Sequence, residues 1–315
     1  MLPVDALVRS VEMNQDTPHA FFLGAGTSIA GGIPDAETCL WQWKRDIYRS
    51  HHPGLNGQLM DVSLPETRVQ IETWLDGAGR YPSAGSVEEY GFFAEACYPI
   101  ADDRRQYFQR LAEGGKPTIG HHLLCKLAEA DIVQSVWTTN FDGLVLRACA
   151  SHSITPIEVT LDTAERVQRP PRRGELLHVA LHGEYRYTAL KNTSEEVREQ
   201  DKMLRDALIE QARTHTLIVS GYSGRDGCIM ETFQRAYSQP GAGRLYWCGY
   251  LDEQPNPAVL DLLMVARQSG HIAYYVPTQG FDDLLKRLAL HCLRDVELAI
   301  FDPSQQGISQ DGGGD

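Results

Sequence analysis

The sequence has no closely spaced pair of cysteines. Its seven cysteines, at 39, 97, 125, 149, 228, 248 and 292, are scattered, and none stands in a Cys-x-x-Cys arrangement. That spacing excludes a zinc ribbon and a thioredoxin-like redox motif, and it gives no ligand set for a metal. An odd number of unpaired thiols fits a reducing cytoplasm better than a secreted disulfide scaffold. Long apolar runs are also missing: no stretch reaches membrane-spanning length, and the first residues, MLPVDALVRSVEMNQD, lack a basic-then-apolar export signal. A soluble, cytoplasmic protein with no membrane contact is expected. Positive charge is scarce. Against 42 acidic residues stand 29 Lys and Arg, a formal net charge of -13 over 315 residues. Such a surface repels phosphate backbones and argues against direct nucleic-acid binding. The densest basic group, Arg169, Arg172 and Arg173, flanks Pro170 and Pro171 and reads as a solvated loop.

What is present is an alternation of short apolar runs with amphipathic ones, the pattern of a parallel sheet covered by helices. Strands are expected at Ala20–Leu23, Ile132–Trp137, Ile157–Thr160, Leu176–Leu181, Thr216–Ser220, Leu245–Tyr250 and Ile272–Val276. TLIVS and RLYWCGY are near-continuous apolar runs, as strands buried on both faces should be. Helices are expected at Ile119–Ala130, Asp142–Ala150, Glu195–Arg213, Cys228–Tyr237, Pro257–Gln268 and Asp282–Leu293. Residues 36–115 differ, with helical runs such as LWQWKRDIY and DDRRQYFQRLA and no clear strand. They read as a helical insert in a domain made of 1–35 and 116–300. Residues 301–315 are polar and Gly-rich, a flexible tail or linker.

Four segments place chemistry-bearing residues at expected strand ends. In FFLGAGTSIAGGIPD, an apolar strand enters Gly24-Ala25-Gly26, and Thr27-Ser28 can cap a following helix. Such a turn suits the approach of a diphosphate to backbone amides, although it also serves as a tight turn with no ligand. In VWTTNFDG, Thr138, Thr139, Asn140 and Asp142 stand where open α/β sheets bind ligands; Asn140 or Asp142 could equally cap a helix. In LLHVALHGEYRY, the strand ends at His182, a candidate general base or a structural imidazole. In LIVSGYSGRDG, Ser220, Gly221 and Asp226 suit a ribose or adenine edge. A serine-hydrolase elbow would need Gly at Arg225.

In this order the segments resemble a sirtuin. GAGTSIAGGIPD resembles the family's glycine-rich NAD loop, KPTIGHHLLCKL its Pro-x-x-x-His helix, TTNFD its Thr-Gln-Asn-x-Asp, LHG its His-Gly, and SGYSGRD stands in place of its Gly-Thr-Ser loop. The likeness spans about residues 20–290. It implies a Rossmann-like parallel sheet with helices on both faces and a helical insert forming a small lid domain. It also implies NAD as substrate. Asn140 and His182 would be the catalytic pair with Asp142 beside them; Gly24, Ala25, Gly26, Thr27 and Ser28 would hold the diphosphate. Ser220, Gly221 and Asp226 would lie on the adenosine side, and Asp35 with Asp142 would order the ribose and nicotinamide. The departures are informative. The four-cysteine zinc module that follows His-Gly in sirtuin deacylases is replaced by EYRYTALKNTSEEVREQ, their Phe-Arg by Ala36-Glu37, and their Gln by Thr139. These point away from deacylation and toward the bacterial sirtuin-like NAD hydrolases of antiphage defence, of the Thoeris type or paired with short Argonautes. The expectation is a metal-free NAD glycohydrolase regulated by a sensor partner, an appended domain or homo-oligomerisation. A non-catalytic NAD or ADP-ribose sensor and a protein deacylase are the alternatives.

Overall fold

The computed structural model describes residues 1–55, 60–86, 88–181, 194–251 and 253–293. Helix α1 (Val4–Met13) leads into β1 (His19–Leu23), whose five residues are all buried. Helices α2 (Ala36–His51), α3 (Pro65–Ala78), α4 (Glu89–Cys97) and α5 (Ala101–Gly114) follow as the insert. The chain then alternates: α6 (Ile119–Glu129), β2 (Val133–Thr138), α7 (Leu144–Cys149), β3 (Thr155–Val159), β4 (Glu175–Ala180) and α8 (Ser194–Thr214). It ends with β5 (Thr216–Ser220), α9 (Gly227–Tyr237), β6 (Arg244–Tyr250), α10 (Pro257–Gln268), β7 (Ile272–Thr278) and α11 (Phe281–Cys292).

The seven strands form one sheet in the order β3-β4-β2-β1-β5-β6-β7, with every pairing parallel. Strand direction and alternation dictate two cores. Phe21 and Leu23 of β1 face Leu7 of α1, Leu123 and Leu127 of α6, Ala148 of α7 and Leu284 of α11. Ala20 and Phe22 face the other side with Leu208 of α8, Phe233 of α9 and Leu262 of α10. The fold is therefore Rossmann-like, a parallel sheet with helices on both faces, as expected.

The insert has its own apolar cluster, centred on Trp43, Ile71, Leu75 and Phe93. Within it Lys44 is buried. Its ammonium lies 2.8 Å from Glu72, contacts Glu89, and sits 4.7 Å above the Trp41 ring. A buried cation is tolerated only when paired in this way, and the pairing ties α2, α3 and α4 in one arrangement.

Two histidines are embedded in the sheet. Burial lowers His19 of β1 and His178 of β4 to about 4 each, and the Nδ1 of each is buried without a hydrogen-bond partner. Both remain neutral in the folded chain while the unfolded chain protonates near 6.5. Their folded values are depressed, so acidification from 6.5 to 4 favours the unfolded state, by up to ~3 kcal/mol per histidine at the acid end. The melting temperature should fall across that interval. A His178→Leu chain should fall less steeply in the same titration; equal slopes would show that His178 does not contribute.

Candidate functional site

The carboxyl ends of the central strands are aligned. Leu23 of β1 pairs with Thr138 of β2 on one side and Ser220 of β5 on the other, and Thr138 pairs with Ala180 of β4. Strand order reverses at β1, because the chain runs outward to β2 and later returns to β5. The crevice at such a switch point is where open parallel sheets take ligands. The loops after β1, β2 and β5 meet there.

The loop after β1 departs from expectation. Thr27 and Ser28 cap no helix; the segment forms two short 3-10 turns, Ala25–Thr27 and Ile29–Gly31. The next α-helix, α2, begins only at Ala36, because Gly32 takes a left-handed φ of 87° and Pro34 follows. The Thr27 hydroxyl instead donates to the Gly24 carbonyl at 2.8 Å, and the Ser28 hydroxyl donates to Asp142 at 2.5 Å. Four of the loop amides have partners inside the protein. The N–H groups of Gly24, Gly26, Thr27 and Ser28 donate to the carbonyls of Ser220, Gly221, Gly24 and Ala25. The glycines thus have a packing reason. A Cβ on Gly24 would lie 2.5 Å from the Gly221 oxygen, and one on Gly26 would lie 2.9 Å from the Gly221 Cα.

Asn140 follows the end of β2, its N–H donating to the Thr138 hydroxyl at 2.9 Å. Its Nδ2 lies 3.0 Å from the Gly24 carbonyl, 3.2 Å from Thr27 Oγ1 and 3.1 Å from Ser28 Oγ. Two amide hydrogens therefore serve three acceptors, which fixes the side chain on the first loop. Asp142 is buried. Its Oδ1 accepts the Leu144 N–H at 2.9 Å, capping the first turn of α7, and its Oδ2 accepts the Ser28 hydroxyl. Burial pushes the Asp142 carboxyl above the usual carboxylate range, against the opposing pull of Ser28, the Leu144 N–H and the Arg147 guanidinium. Helix capping and site organisation are thus both present in one residue.

Other expected residues fall into place differently. Asp35 caps α2, accepting the Thr38 N–H at 2.8 Å, and Asp226 caps α9, accepting the N–H groups of Cys228 and Ile229. Ser220 is buried at the end of β5, and Gly221 adopts φ 66° against Thr27. His182 lies outside the described residues, as do the tail at 301–315 and most of the segment that stands where deacylases carry zinc ligands. The last described residue before it, Leu181, donates its N–H to the Thr138 carbonyl at 2.9 Å. Among the described residues no group of three or more His, Cys, Asp or Glu could hold a metal, and no helix is long and apolar enough to cross a membrane.

Three contributors were not anticipated. Arg147 of α7 reaches the Asp142 carbonyl; Phe141 packs its ring 4.8 Å from Phe108 of α5; and Tyr222 stacks edge-on against Phe22 at 5.0 Å. None has a sequence signature beyond residue type. An open groove of about 410 Å3 lined by Asp16, Asp131 and Arg173 lies at the opposite, amino-terminal end of β2 and takes no part in this site.

Fold and site together define a Rossmann-like α/β protein with its polar loops gathered at the switch point. Residues 134–265 match the family model described as the SIR2-like domain. That segment includes Asn140, Asp142, His182, Ser220, Gly221 and Asp226. Similar solved structures include a Sir2 variant with deacetylated p53 peptide and 3'-O-acetyl ADP-ribose, at 17% identity and a TM-score of 0.44 over 92% of this chain and 98% of that one. A second, described as the structural basis for the mechanism and regulation of Sir2 enzymes, has 15% identity and a TM-score of 0.43, covering 91% and 97%. No curated protein sequence matches the chain.

Proposed function

We propose that the chain is an NAD glycohydrolase, cleaving the nicotinamide–ribose bond of NAD with water to give nicotinamide, ADP-ribose and a proton. The observation that carries this reading is the hydrogen-bonded set Asn140–Ser28–Asp142 at the switch point, of which Asn140 and Asp142 lie in the segment that matches the SIR2-like domain. Bond cleavage builds positive charge on the ribose carbon, and rate is gained by holding the sugar and excluding bulk water. Asn140 holds the attacking water or a ribose hydroxyl through its amide oxygen, since its N–H groups are engaged by the first loop. His182 takes the proton. Asp142 keeps Ser28 and Asn140 oriented, and its carboxylate favours the developing cation. NAD is the substrate, and no metal has a role in these steps.

Deacylation fits less well. Glu37 stands where the deacylases carry Arg, and here it pairs with Arg68 at 3.0 Å and Arg225 at 3.6 Å, joining the start of the insert to the loop after β5. The finer reading is a bacterial antiphage effector that depletes NAD once a sensor partner, such as a short Argonaute, or self-association activates it. An unregulated NAD hydrolase would drain its own cell, and a net charge of -13 leaves nucleic-acid sensing to a partner.

One assay separates the possibilities: nicotinamide release with and without acetylated peptide, in the presence of a chelator. Peptide-independent, chelator-insensitive release is expected, slow for the isolated monomer and at least tenfold faster on association. Strictly peptide-dependent release would make the chain a deacylase, and NAD binding without release would make it a sensor. Fast turnover by a verified monomer would remove the latent-effector reading.

A further inference from the structure

We infer that Arg147 is a positioning residue, locking the exit of the helical insert to the loop that carries Asn140 and Asp142. This deepens the NAD-cleavage reading by naming what sets the geometry of that loop, and its kinetic part rests on that reading. Arg147 sits on α7. Its Nη1 donates to the Gly115 carbonyl at 2.8 Å, and its Nη2 donates to Ala112 at 2.9 Å and to Asp142 at 3.3 Å. Ala112 and Gly115 belong to the last turn of α5 and the residue beyond it; the Ala112 carbonyl also accepts the Gly115 N–H at 3.3 Å, and the dipole at this helix end favours a cation. One guanidinium therefore closes the end of the insert and grips the backbone of the site loop. A planar fork can do this; a single ammonium cannot reach all three oxygens.

Two further contacts run in parallel. Phe108 of α5 packs on Phe141, between Asn140 and Asp142. The Lys116 N–H donates to the Gly31 carbonyl at 2.8 Å, so the insert's exit also touches the glycine-rich segment. From Asp142 the connection continues inward: the carboxylate accepts from Ser28, and the Ser28 hydroxyl accepts from Asn140 Nδ2. The insert is thus not a lid free to swing on its exit side. Displacing α5 displaces the Asn140 loop, which offers a partner on the insert a route to the chemistry.

A role limited to capping α5 would loosen the insert alone, whereas positioning requires both segments to respond. The test measures hydrogen exchange in 108–116 and 138–146 for the whole chain carrying Arg147→Ala or Arg147→Lys, together with nicotinamide release. In Arg147→Ala, exchange should quicken at least tenfold in both segments, and kcat should fall at least tenfold with KM for NAD held within twofold. Arg147→Lys keeps the charge and part of the bonding, so it should recover a substantial part of both losses. If the alanine variant does not fold, the lysine variant against wild type carries the comparison, with both segments quickening two- to threefold. Unchanged exchange in 138–146 while 108–116 loosens would overturn the proposal, as would a lysine variant no better than alanine. A wild-type chain that releases no nicotinamide would overturn the enzymatic reading alone, since exchange still decides the coupling.

Discussion

Alanine at Asn140 should cut nicotinamide release by roughly 10²- to 10³-fold, the loss typical when one preorganised polar group is removed from an active site. The fold should survive. The Nδ2 group donates to Gly24, Thr27 and Ser28, yet the Gly24 carbonyl also accepts the Thr27 hydroxyl at 2.8 Å and the Thr27 N–H at 3.0 Å. No buried acceptor is left orphaned, so the stability cost should be about 1 kcal/mol, a melting shift of a few degrees. Asn140→Asp is the sharper companion. It keeps the shape, removes the two donors and sets a second carboxylate near Asp142, so it should be at least as inactive as alanine. His182→Ala should abolish release as well, by removing the proposed base. NAD affinity, followed by calorimetry, should change far less than kcat in the two alanine variants. A His182→Ala chain that folds and keeps most of its activity would end the base assignment. An equally active Asn140→Ala chain would end the site assignment.

The sheet was legible because parallel strands buried on both faces leave a plain mark. Each of the seven expected strands is found within two residues of its bounds, and TLIVS coincides with β5. The placement of Thr138, Asn140 and Asp142 at a strand end followed from the same pattern. What could not be read locally was the choice of partner. Thr27 and Ser28 carry the residue types of a helix cap, but their hydroxyls are taken by Gly24 and by Asp142, the latter 114 positions away in sequence. The same ambiguity runs the other way for Asp35 and Asp226. A carboxylate before a helix looks alike whether it meets a ribose or an amide, and here both cap helices. Arg147 was invisible because its three acceptors are carbonyls, which any residue supplies.

Valine at Gly24 should be severely damaging, costing upwards of about 4 kcal/mol and leaving little soluble protein. The obstruction is backbone, which cannot swing aside. A Cβ at Gly24 would lie 2.5 Å from the Gly221 oxygen and 2.6 Å from the Tyr222 Cα, between β1 and β5, which are adjacent and in register. The contact is reciprocal: Gly221 holds φ 66°, and its own Cβ would meet the Thr27 nitrogen at 2.5 Å. Loss of NAD binding in such variants therefore does not by itself report a diphosphate on the loop, and the same holds at Gly26, whose Cβ would meet Gly221 at 2.9 Å. Gly32 provides the contrast. Its φ of 87° is left-handed, but a Cβ there would have no neighbour within 4 Å, so Gly32→Ala should cost only the backbone strain, ~1–2 kcal/mol. Urea unfolding of the two variants should separate them by several kcal/mol, or by the failure of Gly24→Val to fold at all. Near-equal midpoints would mean that the loops after β1 and β5 do not press on each other, and the packing reason for these glycines would fall.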